Sequence, residues 1–297
     1  MLLTATLLAA ALQVGPNPTA TDTLGPPDEL LNRPPREDEA AALSDNPQSA
    51  WLASCLALLP DEAARAHSLA QLRRNETSAE QRVLANHCLG LAATQLELWD
   101  DAVAAFIAAR DGSGEGDTRV RARFGAMAGN AAFAAGDVAQ ARAFLSQAKA
   151  DARAAASAPL RAIAATDLAR VLVSMDEPDA ALAELDEALE LQPENADTWL
   201  LKATLLRRME RLGEAQAAIE QASTHAPRAP AIGLEAGVIA VLTGREDAAR
   251  ESWQSLIDLA PESPAALAAQ DYLAQLGPPP IAPAPATSAQ PQVEAPL

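Results

Sequence analysis

The chain is poor in the residue types that build sheets, metal clusters or polyanion-binding surfaces. Aromatics make up 3% of its 297 residues (four Trp, four Phe, one Tyr), and β-branched residues are few. Strands favour those types, which excludes a β-sandwich or barrel. Three His and two Cys are too few for a zinc cluster or a multi-disulfide framework. Cations are short as well: 22 Lys and Arg stand against 40 Asp and Glu, a net charge of −18. A polyanion of that size is repelled by nucleic acid and anionic lipid, so neither is expected as a partner.

Catalytic groupings are missing too. No G-x-x-x-x-G-K-S/T phosphate cradle and no Ser/His/Asp grouping occurs. His67, His87 and His225 are far apart, and the adjacent pair His87-Cys88 points in directions about 100° apart on a helix, so it cannot chelate one ion. Carboxylates are plentiful in MDEPDAALAELDEALELQPEN, but on outer helix faces they form a solvated surface. The expectation is a non-enzyme with no catalytic residue, metal or cofactor.

What is present is helix-forming. Hydrophobic residues reach 49%, mostly Ala, Leu and Val, and Ala and Leu are strong helix formers. The N-terminal run MLLTATLLAAALQVG is too short to span a bilayer and has the length of a signal-peptide apolar region, with small residues at Ala9-Ala10-Ala11. No Lys or Arg precedes it, so a cytoplasmic chain with an apolar N-terminus stands as the alternative. Residues 1–14 are read as a signal peptide, which gives a periplasmic or secreted protein. Residues 15–45, rich in Pro and without helical periodicity, are read as a disordered linker, and 277–297 as a disordered Pro/Ala-rich tail. The folded part is then 46–276.

That part repeats itself. Pro193, Pro227 and Pro261 are spaced 34 apart, as are Ala181, Ala215 and Ala249, and Leu185, Ile219 and Trp253. Two helices and a short turn fit each unit, the small residue allowing close approach and Pro blocking continuation. Earlier units carry Leu89-Gly90, Ala102, Phe106 and Ala109, then Gly129, Gly136, Ala141, Leu145 and Ala148. Gly136, Gly213 and Gly244 are read as turn residues.

These residues, with Trp199 at the aromatic position, resemble the tetratricopeptide repeat (TPR) family. The resemblance implies an all-α, right-handed superhelix (α-solenoid) of helix–turn–helix repeats near 83–116, 122–155, 162–195, 196–229 and 230–263. A degenerate first helix pair broken by Pro60 precedes them, and a capping helix at 263–276 covers the last exposed face. Extra residues of the first two units fall in DGSGEG (111–116) and ADARAAASAP (150–159).

The resemblance also implies a groove, lined by the first helices, that binds a peptide or helix of a partner protein. Carried over position by position, its lining includes His87, Arg123, Asn130, Arg170, Thr204, Arg207 and Arg208, with Ile163, Leu234, Val238, Val241 and Leu242. His87 has two readings, a groove contact or an ordinary surface histidine. The four arginines suit an acidic segment or C-terminal carboxylate; pairing with the protein's own Asp167, Asp197 or Glu210 is the alternative. The family's carboxylate clamp is matched only by Asn130, since Ala126 and Asp197 stand where it needs Lys and Asp167 where it needs Asn. The functional expectation is an interaction scaffold in the bacterial cell envelope. A structural subunit of a secretion or envelope-assembly machine is the alternative, or a cytosolic co-chaperone if the leader is false. Cys55 and Cys88, 33 residues apart, are a candidate disulfide in an oxidising compartment and otherwise two small buried thiols.

Overall fold

The computed structural model describes residues 47–277, which form thirteen helices and, among the described residues, no strand. The readings of 1–14 as a signal peptide, 15–45 as a linker and 278–297 as a tail lie outside them. The chain divides into two compact units, 1–53 and 54–297. Of the first, only the start of α1 (Pro47–Leu56) is described. The second contains the end of α1 and α2 (Leu59–Glu76), α3 (Ala79–Gln95), α4 (Trp99–Gly112), α5 (Thr118–Ala134), α6 (Val138–Ala154) and α7 (Ala158–Ser174). It continues with α8 (Pro178–Leu191), α9 (Ala196–Arg208), α10 (Leu212–His225), α11 (Pro230–Leu242), α12 (Glu246–Leu259) and α13 (Pro264–Leu276). The second unit is an all-α solenoid in which each helix from α2 onward packs on the next, and α5, α9 and α11 also touch the helix two along.

The helix ends follow from local chemistry. Asp117, Asp137, Asn195 and Ser263 cap α5, α6, α9 and α13 through their side chains, and Pro stands in the first turn of α2, α7, α8, α11 and α13, where its missing N–H is no loss. Pro60 therefore starts α2 rather than interrupting a longer helix.

Every hairpin turn is closed the same way. Glu97, Gly136, Asp176, Glu210 and Gly244 adopt left-handed φ of 57°, 84°, 60°, 60° and 76°. The next residue then donates its N–H back to a carbonyl of the first helix: Leu98 to Ala93, Asp137 to Ala132, Glu177 to Leu172, Arg211 to Leu206 and Arg245 to Ala240. This is the six-to-one bond of a Schellman closure, which satisfies an orphan carbonyl. Gly136 and Gly244 are turn residues of this kind; Gly213 is not. It lies in the first turn of α10, and Glu210 holds the left-handed position of its hairpin.

Within each hairpin a small residue on the first helix faces a large one sixteen positions later: Gly90 and Phe106, Gly129 and Leu145, Ala169 and Leu185, Ala203 and Ile219, Gly237 and Trp253. A Cβ added to Gly90, Gly129 or Gly237 would stand 2.5, 2.6 or 2.0 Å from its partner's side chain. Phe106, Leu145 and Trp253 thus fill the space a Cβ would need, whereas Leu185 and Ile219 leave room for that of Ala169 and Ala203.

The boundaries between hairpins differ. After α8, α10 and α12 the chain leaves the helix at Gln192, Ala226 and Ala260, each with φ near −140°, immediately before Pro193, Pro227 and Pro261. Steric pressure from the following Pro excludes helical geometry at those residues. After α6 there is no Pro; Ala156 takes φ 48° and Ser157 N–H returns to the carbonyl of Ala152.

The ends of the stack are fastened. Cys55 and Cys88 form a disulfide between α1 and α3, with Cα atoms 6.3 Å apart. At the other end Tyr272 of α13 packs on Trp253, with ring centroids 5.2 Å apart, and Arg250 donates to the carbonyls of Leu276 and Gly277.

Candidate functional site

Of the first helices of the five hairpins, α3, α5, α7 and α9 carry the seven groove residues anticipated from the sequence, and α11 carries the apolar Leu234, Val238, Val241 and Leu242. Most of the polar ones hold neighbouring helices together. Arg123 Nη2 of α5 stands 3.4 Å from His87 Nε2 of α3. Arginine can only donate, so Nε2 accepts and the neutral imidazole carries its proton on Nδ1. Asn130 of α5 donates to Asp167 Oδ2 of α7 at 2.8 Å, and Arg170 donates to Asp167 Oδ1 at 2.8 Å. Thr166 of α7 and Thr198 of α9 share a buried hydroxyl contact of 3.2 Å. Arg207 of α9 reaches Glu235 of α11 with two nitrogens, Nε to Oε1 at 2.6 Å and Nη2 to Oε2 at 3.4 Å. Each first helix is thus tied to the next by a polar contact.

Burial sets the charge states along this face. His87 is 5% exposed and lies edge-on to Phe124, so it is not the surface histidine that was one of its two readings. Burial, and secondarily the charge of Arg123, holds its pKa down at about 4. Asp167 is pushed up by burial, against the pull of Arg170 and of the Asn130 hydrogen bond. Two of the four arginines are therefore engaged internally: Arg170 with Asp167, a partner anticipated from sequence, and Arg207 with Glu235, which was not. Asp197 and Glu210 take no groove arginine. Arg123 and Arg208 are exposed and pair with no carboxylate among the described residues, and Thr204 is half-buried on α9. Asn130 is occupied by Asp167, which further removes this face from the carboxylate-clamp pattern.

Two large apolar side chains are open on these helices, Ile163 of α7 at 46% exposure and Leu242 of α11 at 51%. The second helices present ion pairs, such as Lys149 with Glu184 and Arg142 with Glu177, and one open apolar side chain, Leu259 of α12. Arg119 was missed from the sequence. It is exposed in the first turn of α5, and its signal was three arginines with no carboxylate across 118–134. Among the described residues no cluster of three metal-ligating side chains occurs, and no helix is long and apolar enough to cross a membrane.

Family models agree with the repeat geometry. One tetratricopeptide repeat model matches residues 162–205 and a second matches 200–264. Residues 162–264 are thus tetratricopeptide repeats, which as a family build scaffolds for protein–protein interaction. The fold of this chain is similar to that of PilW, a widely conserved type IV pilus biogenesis factor, at 16% identity and TM-score 0.62, covering 75% of this chain and 98% of that one. Pseudomonas aeruginosa pilF is 19% identical with TM-score 0.59, covering 76% and 97%. A chain of the APC/C hetero-tetramer Cut9–Hcn1 is 13% identical with TM-score 0.58, covering 79% of this chain and 44% of that one. A comparison with curated proteins finds no match.

Proposed function

We propose that this protein is a non-enzymatic scaffold of the bacterial cell envelope that holds a peptide or helix of a partner protein against the first-helix face, the bound segment carrying an acidic or C-terminal carboxylate end. The observation that carries the reading is the exposure of Ile163 and Leu242 on that face, large apolar side chains that the described residues leave uncovered. Arg123 and Arg208 supply charge there that no carboxylate of the described residues neutralises. The envelope setting draws support from the leader-like run at 1–14 and from the Cys55–Cys88 disulfide, because such bonds persist in oxidising compartments. Similarity in fold to PilW and pilF favours a second reading, a subunit of an envelope-assembly machine whose face is permanently filled.

A photo-crosslinking amino acid placed at Ile163 or Leu242 in living cells tests the site. One partner protein should be captured at both positions and not at exposed Ser146 of α6. Equal capture at all three would reject the face. Mass spectrometry of the native protein tests the location: a chain beginning shortly after Ala11 is expected, and one retaining Met1 would move it to the cytoplasm.

A further inference from the structure

The three arginines of α5 are poorly placed for folding. Arg119, Arg121 and Arg123 lie in its first two turns, at the helix end where the backbone dipole is positive and cations are disfavoured. Arg119 and Arg123 are four residues apart on one face, a spacing at which like charges repel. In a chain of net charge −18, with surplus carboxylate available, none of the three pairs with an acid among the described residues. Their hydrogen bonds go to uncharged acceptors: Arg119 to Ser157 Oγ at 3.4 Å, Arg121 to the Arg110 carbonyl at 3.4 Å and Arg123 to His87 Nε2 at 3.4 Å. His87, held neutral by burial, orients the Arg123 guanidinium without cancelling its charge. Asp117, the nearest carboxylate in sequence, is occupied by capping Val120 N–H.

Resting on the scaffold reading above, we infer that Arg119 and Arg123 form the charge-recognition point of the first-helix face and receive paired carboxylates from an acidic segment of a partner protein. Guanidinium forks match carboxylates in geometry, and a carboxylate pair would relieve both the repulsion within α5 and its unfavourable interaction with the helix end. Ile163 occupies on α7 the position that Arg123 occupies one unit earlier. The segment that fits therefore carries an apolar side chain beside its acidic ones. Arg170 and Arg207, closed onto Asp167 and Glu235, take no part.

Fluorescence anisotropy with the full chain tests this, using labelled decapeptides of alternating leucine and glutamate with an amidated or a free carboxyl terminus, and a leucine–lysine decapeptide. Both glutamate peptides should bind and the lysine peptide should not; binding of the free-acid form alone would assign one of the carboxylates to the chain terminus. The variant R119Q/R123Q should bind at least tenfold more weakly, with a shallower salt dependence, and its thermal midpoint should be unchanged or raised. The inference falls if the glutamate peptides do not bind the wild type, if the variant binds equally well, or if its midpoint drops, which would make the arginines structural. Displacement of the peptide by inorganic phosphate alone at low millimolar concentration would likewise overturn it. Crosslinking at Ile163 and Leu242 depends on neither arginine, so its survival in the variant would keep the scaffold reading while this one fails.

Discussion

The two halves of the described chain reach the same fold with different materials. Residues 47–175 carry thirteen basic and thirteen acidic side chains; residues 176–277 carry seven and nineteen, a net charge of −12. In the first half α3, α5, α6 and α7 are each 17 residues long, whereas α8 to α13 are 13 or 14. The second half ends its repeats at Pro, and the first does without. The left-handed turn residue and the small-to-large contact sixteen positions on are common to both. Those two features are what this hairpin stack requires, while helix length and surface charge are free to vary.

Removing the large residue should therefore be the most damaging change, and in either half. Trp253→Ala empties the groove over Gly237 and removes the indole bond to the Leu234 carbonyl; a loss of about 3–5 kcal/mol is expected by urea denaturation. Phe106→Ala over Gly90 should cost about as much. A loss below about 1 kcal/mol in one half only would show that the two halves do not depend on the same contact.

Acid should separate the halves next. Folded His87 has a pKa of about 4 against 6.5 unfolded, so between those values the unfolded chain binds more protons and stability falls as pH drops. The fall should reach about 3 kcal/mol near pH 4. Asp167 acts in the opposite sense: burial raises its carboxyl above 3.8, so the folded chain keeps that proton to higher pH and stability falls as pH rises through that window. His87→Gln should flatten the first slope and leave the second, with the change in hydrogen exchange confined to α3 and α5. Parallel profiles for variant and wild type would rule out His87 as the source.

The smallest effects concern the turns. Glu210 bears a side chain at φ 60°, so Glu210→Gly should stabilise by about 0.5–1 kcal/mol, and Gly136→Ala at φ 84° should destabilise by about 1 kcal/mol. Thermal denaturation resolves both. The same sign for the two would mean that the shared closure does not govern these hairpins.

The fold class was legible because Pro193, Pro227 and Pro261 act locally, each barring helix at the residue before it, so their spacing survives in the sequence. The 150–159 insertion was visible as extra length, but its form was not. ADARAAASAP contains no helix breaker before Pro159, and the extra residues extend α6 to Ala154 and start α7 at Ala158. Glycine misled at Gly213 because a left-handed turn tolerates Glu210, and nothing in its neighbours reveals which residue takes that conformation. The face was legible as a set of positions and not as a set of charge states. Whether Arg207 is free depends on Glu235, 28 residues away on another helix, and His87 meets Phe124 and Arg123 of α5, more than 35 residues on. Arg119 lies outside the family's groove positions, and its signal is a different one, an arginine-rich helix with no acid of its own.

The disulfide has a topological consequence. Joining Cys55 to Cys88 turns the end of α1, all of α2 and the first half of α3 into a covalent ring of the main chain. α2 is the helix with a non-helical residue inside it, Glu62, and with Leu69 and Leu72 in water, which makes it the natural place for a protease to enter. A cut anywhere in that ring opens a circle without dividing the molecule, and the leading segment stays tethered to the stack until the bond itself is reduced.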